Sequence, residues 1–535
     1  MPVADILRYN SLTWPDRVAL VAGDRRITFS ELEQAVWRLA GAMSGLCGPG
    51  DRVGILAQNV PEYVEALYGV PSAGLVLTLL NYRLNPKEWA WILANAEARV
   101  ILVEQAYLAA LEPVLADVPS LEHVIVIGDP GDSGHIGYDD LVAGRPAVPP
   151  PSAPAETDTA VLIYTSGTTG FPKGAMITHG AIQTAMLVNA LEQDVLPFDR
   201  FLMSNPMCHA SGFSVLHFHV RASEVVLLKT FSAEGFLSLI ERHRITRATL
   251  NPTMARFVLD HPAVDRYDVS SVRSVSYGGM PMPKTTAVEL SERFGGLSTN
   301  FGQTESTFSV TSLTAADHRR ALAGDEHLLA SCGRPMAQVA VQILDDQMAE
   351  VPVGETGEMC IRSGYTMGGY WRNDEATREA FAGGWLHTGD LARRDEEGYI
   401  YLVDRKKDMI ISGGQNVYST EVERIIGQLP AVAEVAVVGV SDGLWGERVT
   451  AVVVRKPGQD LTEQTVIAAC RDRLAGYKSP KEVRFWDELP KNVLGKILKR
   501  DIRAALLGPL GGSPHRKAGG RPSLNAVTAS AMSPV

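Results

Sequence analysis

The chain has few cysteines, no long uninterrupted apolar run and no block of basic residues, and each shortage removes a class of function. Its five cysteines, Cys47, Cys208, Cys332, Cys360 and Cys470, are odd in number and scattered through 535 residues without a CxxC pair. They form no disulfide framework, which points to a reducing compartment. The most apolar long stretch, 66–80, is interrupted by Gly69, Pro71 and Gly74 and is too short to span a bilayer. The opening MPVADILRYN lacks the basic-then-apolar pattern of a secretory leader, so a cytoplasmic location is expected. Net charge is −11 with no basic stripe, which leaves no electrostatic footprint for nucleic acid. An acidic total does not exclude an anionic substrate, because the local field of a site decides binding.

What the sequence does have is alternation. A hydrophobic fraction of 45% and a charged fraction of 21% are those of a soluble globular protein. At this length at least two domains are expected. Asp51-Arg52-Val53-Gly54-Ile55-Leu56 reads as a strand, Glu62 to Tyr68 has helical spacing, and Val100–Val103 and Val124–Ile127 read as buried strands. Strand and helix in turn predict a largely parallel sheet covered by helices, an α/β domain over 1–403. A Pro-rich surface linker covers 146–155, ahead of the strand Val161–Tyr164. Residues 404–407 read as a polar hinge. Beyond it, 408–508 mixes strands at Val435–Val440, Val449–Val454 and Val483–Trp486 with a helix near Leu461–Leu474, which suits a small, mobile α+β domain. The stretch 509–535, rich in Gly, Pro, Ser and Ala, reads as a disordered tail.

The most informative segment is Tyr164-Thr165-Ser166-Gly167-Thr168-Thr169-Gly170-Phe171-Pro172-Lys173-Gly174. Its glycines let backbone N–H groups turn toward an anion, and its hydroxyls and lysine add donors. It is a phosphate cradle but not a Walker A loop, because Gly174 follows Lys173 where Ser or Thr would be needed. A Gly/Thr loop standing alone is as often a plain surface loop.

This one is followed in order by Pro206-Met207-Cys208-His209, Ser276-Tyr277-Gly278-Gly279-Met280-Pro281, Asn300-Phe301-Gly302-Gln303-Thr304-Glu305, Gly333-Arg334-Pro335, Gly354-Glu355-Thr356-Gly357-Glu358 and Gly384-Trp385-Leu386-His387-Thr388-Gly389-Asp390. Asp404-Arg405-Lys406-Lys407-Asp408 and Pro490-Lys491-Asn492-Val493-Leu494-Gly495-Lys496 complete the series. The series resembles the motifs of the adenylate-forming superfamily, which includes acyl-CoA synthetases, luciferases and nonribosomal adenylation domains, over roughly residues 10 to 505. The resemblance implies attack of a carboxylate on the α-phosphorus of ATP, with positioning and positive charge supplying most of the catalysis.

By the same resemblance, Lys496 reaches the carboxylate and α-phosphate, although one more solvated lysine beside Lys491 and Lys499 is the alternative. Glu305 would hold Mg2+, a fitting task for one carboxylate beside phosphate oxygens. Thr304 would donate to the α-phosphate and Phe301 would stack on adenine, where the family more often has Tyr. Thr165 to Gly170 and Lys173 would surround the phosphates. Gly279, Met280, Pro281, Asn300, Gly302 and Gln303 would line the nucleotide. Asp390, read as lying at a strand end, would accept the ribose hydroxyls, with Arg405 on ribose or phosphate. The acyl pocket is expected from His209, Ser211, Phe213, Tyr277, Gly278, Gly302 and Ser306. His209 would part it from the thiol tunnel; a packed core histidine is the alternative. His217 and His219 could line it too, or point outward by strand alternation.

Lys407 matches the pivot about which the family swings its small domain between half-reactions. Gly413 and Gly414 would form a wall past which a pantetheine arm slides, and Trp445 would lie against coenzyme A, unless it is simply packed. The implied activity is an ATP-dependent carboxylic acid:coenzyme A ligase using ATP and Mg2+, the acid being aryl or medium-chain. An amine, a carrier-protein thiol or a small inorganic nucleophile as acceptor stays open, as do monomer and homodimer.

Overall fold

In the computed structural model, residues 2–165, 172–278, 282–443, 445–491 and 496–507 are described; the segment expected to form a disordered tail lies outside them. Two compact units emerge. One runs to Thr388 and includes Ala392–Leu402, and the other comprises Gly389–Leu391 and the chain from Val403. The first is a large α/β domain and the second a smaller α+β domain.

Among the described residues, the large domain holds a seven-stranded sheet ordered Ile136–Gly137, His123–Ile127, Ala98–Glu104, Arg52–Leu56, Val76–Leu79, Thr159–Thr165 and Lys173–Thr178. Its neighbours are parallel except for the last pair, an antiparallel ribbon with Thr165 opposite Lys173. Val100 to Val103 and Ile125 to Val126 are fully buried on both faces, which is why these strands read as unbroken apolar runs. A nine-stranded sheet is parallel through its middle, where Ser274–Tyr277 lies between Arg247–Leu250 and Gly296–Gly302. It ends in antiparallel strands, Ser309–Leu313 and Arg334–Pro335 on one side and Arg25–Thr28 on the other. Several helices start where the sequence supplies a capping box, as Thr28 with Glu31, Asn85 with Glu88 and Thr314 with Asp317.

Three of the motif stations, Thr165, Tyr277-Gly278 and Gly302, fall at the carboxyl ends of parallel strands, where open α/β sheets bind ligands. In the small domain, Gly446–Arg455 pairs antiparallel with Val432–Asp442 along its length and also with Ile410–Ser412 (antiparallel) and Glu482–Trp486 (parallel). Among the described residues no helix is long and apolar enough to cross a membrane.

Two local readings are corrected. Asp390 lies inside the nine-residue strand Leu386–Arg394 and not at its end. Gly389, at φ +69°, lets the strand continue through a kink that in sequence looks like a stop. His217 and His219 lie on the helix Phe213–His219, and both point into the core. Strand alternation therefore does not apply to them. Tyr68 and the carbonyl of Ala19 engage the two ring nitrogens of His219, which makes it a packed structural histidine.

Candidate functional site

Lys173 opens the strand after the phosphate loop, opposite Thr165. Ser166, Gly167, Thr168, Thr169 and Gly170 lie outside the described residues, as do Gly279, Met280 and Pro281. The Lys173 ammonium sits 5.2 Å from the centre of the Tyr370 ring. The Tyr370 hydroxyl donates to Glu305 Oε1 at 2.7 Å, and Glu305 in turn belongs to the 3-10 turn Thr304–Ser306. One tyrosine thus joins the loop lysine to the motif carboxylate. Burial, and then the Glu305 charge, push the phenol well above its ordinary pKa, so it stays a donor. Sequence reasoning missed Tyr370. Its only signal is a glycine pair before two aromatics, Gly368-Gly369-Tyr370-Trp371, and nothing in that spacing points to Glu305.

At the end of the Gly296–Gly302 strand, Asn300 donates to Ser276 Oγ at 3.2 Å while its own buried Oδ1 meets no partner among the described residues. Phe301 packs partly buried against the main core. Gly302 is required by close approach, since a Cβ there would lie 2.2 Å from the carbonyl oxygen of Phe308. Gln303 Nε2 donates to the carbonyl of Thr388 at 3.0 Å, and Thr304, partly buried, heads the turn that carries Glu305. Ser306 is fully buried and its hydroxyl bonds to the carbonyls of Gln303 and Phe308. The hydroxyl of Tyr277 meets His318 Nε2 at 2.9 Å. Both pocket candidates therefore spend their hydroxyls inside the fold, and Phe213 is likewise buried in the main core. Gly278 stays roomier, with the nearest atom 3.6 Å from a built Cβ.

His209 precedes the short turn Ala210–Gly212. Desolvation, aided by the Arg83 charge, lowers its pKa to about 4, so its ring is neutral near pH 7, and its buried Nε2 meets no partner among the described residues. Ser211 donates to the carbonyl of Pro206 at 2.6 Å. The preceding segment is shaped by Asn59, a residue sequence reasoning also missed. Its amide donates to the carbonyls of Asn205 and Leu228 at 2.9 and 3.1 Å and accepts from the Met207 N–H at 3.0 Å.

In the small unit, Arg405 Nε pairs with buried Asp390 Oδ1 at 2.6 Å. Lys496 is an exposed residue whose pKa is lowered by desolvation first and by Arg405 and Lys407 next. Because the residue is exposed, the neighbouring cations are the better-founded cause. Desolvation and the positive charges of Arg405 and Arg503 likewise lower Lys407, against the pull of Asp408 and Asp390. The structure thus gathers Asp390, Arg405, Lys407 and Lys496. Gly413 and Gly414, at φ +58° and +74°, make the two-residue turn between Ile410–Ser412 and Gln415–Val417, a turn with left-handed backbone at both positions that glycine adopts without strain. Gly413 N–H donates to the carbonyl of Trp445 at 2.7 Å, and the indole lies against the turn with the Lys481 ammonium 5.2 Å from its ring centre. A further network escaped the sequence reading: Lys499 reaches Glu423 at 2.8 Å and Ser419 Oγ at 2.5 Å, and Ser419 Oγ donates to Asp404 at 2.8 Å.

A model of the AMP-binding enzyme family matches residues 7–371, and a model of the AMP-binding enzyme C-terminal domain matches residues 421–496. A medium/long-chain-fatty-acid–CoA ligase, FadD8 of Mycobacterium tuberculosis, is 34% identical over 504 residues, covering 91% of this chain and 87% of its own. A feruloyl-CoA synthase of an Amycolatopsis species is 36% identical over 497 residues, with 91% and 96% covered. Among solved structures, the anthranilate CoA ligase AuaEII in complex with anthranoyl-AMP gives a TM-score of 0.83 at 28% identity, covering 94% of this chain and 97% of that one. The amide bond synthetase McbA from Marinactinospora thermotolerans gives 0.83 at 30% identity, covering 94% and 99%.

Proposed function

Because the chain belongs to the AMP-binding enzyme family of adenylate-forming acyl-CoA ligases, we propose that it activates an aryl or medium-chain carboxylic acid. A carboxylate oxygen attacks the α-phosphorus of ATP and pyrophosphate leaves. The thiol of coenzyme A then attacks the acyl carbon and AMP leaves. The observation that carries this reading is the Lys173–Tyr370–Glu305 arrangement, which holds a cation and a carboxylate on one rigid ring beside the phosphate loop.

The donor set fits Mg2+: Glu305 is a hard oxygen ligand oriented through one oxygen by Tyr370, and such ions take one or two carboxylates plus phosphate oxygens. When bound, the ion neutralises charge on the phosphates. Thr304 and the hydroxyls at 165–169 donate to phosphate, Lys496 supplies charge to the reacting carboxylate and α-phosphate, and Phe301 stacks on adenine. Asp390 accepts the ribose hydroxyls, with its orientation set by Arg405. His209, neutral and with an unpartnered ring nitrogen, faces the acid. Gly413, Gly414 and Trp445 form the coenzyme A wall, with Lys407 as the pivot of a 404–407 hinge between domains 1–403 and 408–508. A cytoplasmic location accompanies this reading.

A second acceptor is favoured by one finding, the likeness to an amide bond synthetase, which supports an amine in place of the thiol. Acid-dependent pyrophosphate release across aryl and alkyl acids, with and without coenzyme A and with an amine series, separates the two. Turnover with coenzyme A alone, yielding a thioester, upholds the ligase. Turnover with amines alone moves the acceptor, and release with no acid would overturn acid activation altogether.

A further inference from the structure

Glu358 and Cys360 alternate along the strand Gly357–Ser363 and so share one face of the four-stranded sheet. His387 stands on the adjacent strand Leu386–Arg394 and turns its ring toward both. Its Nδ1 lies 3.1 Å from Glu358 Oε2 and 3.6 Å from Cys360 Sγ. Its other nitrogen, Nε2, lies 3.1 Å from the carbonyl oxygen of Ala382. A carbonyl can only accept, so the ring proton of a neutral imidazole sits on Nε2. The Nδ1 lone pair then faces a carboxylate oxygen and a sulfur, so that three potential ligand atoms lie within 4.8 Å of one another, with Cys360 fully buried and Glu358 nearly so.

One metal ion could be ligated by all three. Tetrahedral zinc, with its usual bond lengths to nitrogen, oxygen and sulfur, sets N–O edges of about 3.3 Å and N–S edges of about 3.6 Å. The observed separations are close to both. The Nε2 contact to a backbone carbonyl is the partner that a metal-bound histidine commonly has. Arg362, next on the same face, carries its guanidinium away: it donates to the Gly384 carbonyl at 3.2 Å and lies over the Trp385 ring.

We propose that Glu358, Cys360 and His387 form a site for one divalent transition-metal ion of the zinc class, with an open fourth position. Soft thiolate and imidazole with one carboxylate select such an ion over Mg2+. Bound there, it staples the strand carrying Asp390 to its neighbour.

Full-length protein stripped of metal and titrated with Co2+ should take up one equivalent, giving a thiolate-to-cobalt charge-transfer band and the visible absorption of a tetrahedral ion. Zn2+ should displace it. C360S should lose the charge-transfer band, H387Q should weaken binding by at least about tenfold, and C470A should keep both band and stoichiometry. Zn2+ should raise the melting temperature of the parent protein and leave that of C360S unmoved. Failure of the parent protein to bind one equivalent at micromolar metal would overturn the site, and that result does not depend on how any variant folds. A thiolate band that survives C360S would overturn it equally.

Discussion

The two domains treat charge in opposite ways. In the large domain the cation and carboxylate beside the phosphate loop are already engaged, Lys173 on the face of Tyr370 and Glu305 on its hydroxyl. In the small unit, desolvation and neighbouring positive charge lower the pKa values of Lys407 and Lys496, and Arg405 pairs with Asp390 at 2.6 Å. The first region is ordered before any substrate arrives. The second holds positive charge at a cost that a polyanion would relieve, which makes it the responsive half of the chemistry.

That contrast can be broken most forcefully at Lys496. K496A should lower acid-dependent pyrophosphate release about 10²–10³-fold while sparing thioester formation from supplied acyl-AMP. Equal losses in both half-reactions would show that the lysine does not act on adenylation alone. On the preorganised side, E305Q keeps the shape and the Tyr370 bond but drops the charge. Adenylation should fall about a hundredfold and shift to higher Mg2+ requirement; an unchanged Mg2+ titration would remove the metal role. Y370F should act more mildly, about tenfold, chiefly as a raised KM for Mg-ATP, because it frees the carboxylate without removing it. A drop in kcat with no change in that KM would assign Tyr370 to the fold instead.

A separate prediction, on stability and not on turnover, sharpens the comparison. Fully buried His217 and His219 have pKa values lowered by desolvation to about 3 and about 4. The unfolded chain takes up their protons near pH 6.5 and the folded chain does not, so stability falls as pH drops below that point, by about 1.4 kcal/mol per pH unit for each histidine. No histidine occurs between Val403 and Leu507. Hydrogen exchange between pH 6.5 and 4 should therefore accelerate in the core of the large domain well before that of the small one. Equal acceleration in both would assign the acid sensitivity elsewhere.

Much of the fold was legible because its strands obey simple patterns. Val100–Val103 and Val124–Ile127 are apolar on every residue, and parallel sheets bury both faces. Asp390 was misplaced because a glycine at positive φ inside a strand has the same letters as a strand stop. His217 and His219 were misread because a short helix and a short strand are both consistent with an apolar run of this length. In the site, residues within motifs could be named from sequence, whereas Tyr370 and Asn59 could not. Each acts through a contact far along the chain, Tyr370 on Glu305 and Asn59 on the segment 205–207, and no local spacing encodes such a meeting.

Gly302 bears on how this scaffold can diversify. With the Phe308 carbonyl where its side chain would begin, the position offers no volume to be traded, so neither natural drift nor a designed library gains a new acid by enlarging it. Selectivity has to be written at its neighbours, and Gly278, where a built Cβ would meet the Asn300 carbonyl oxygen only at an ordinary contact distance of 3.6 Å, is the more evolvable letter.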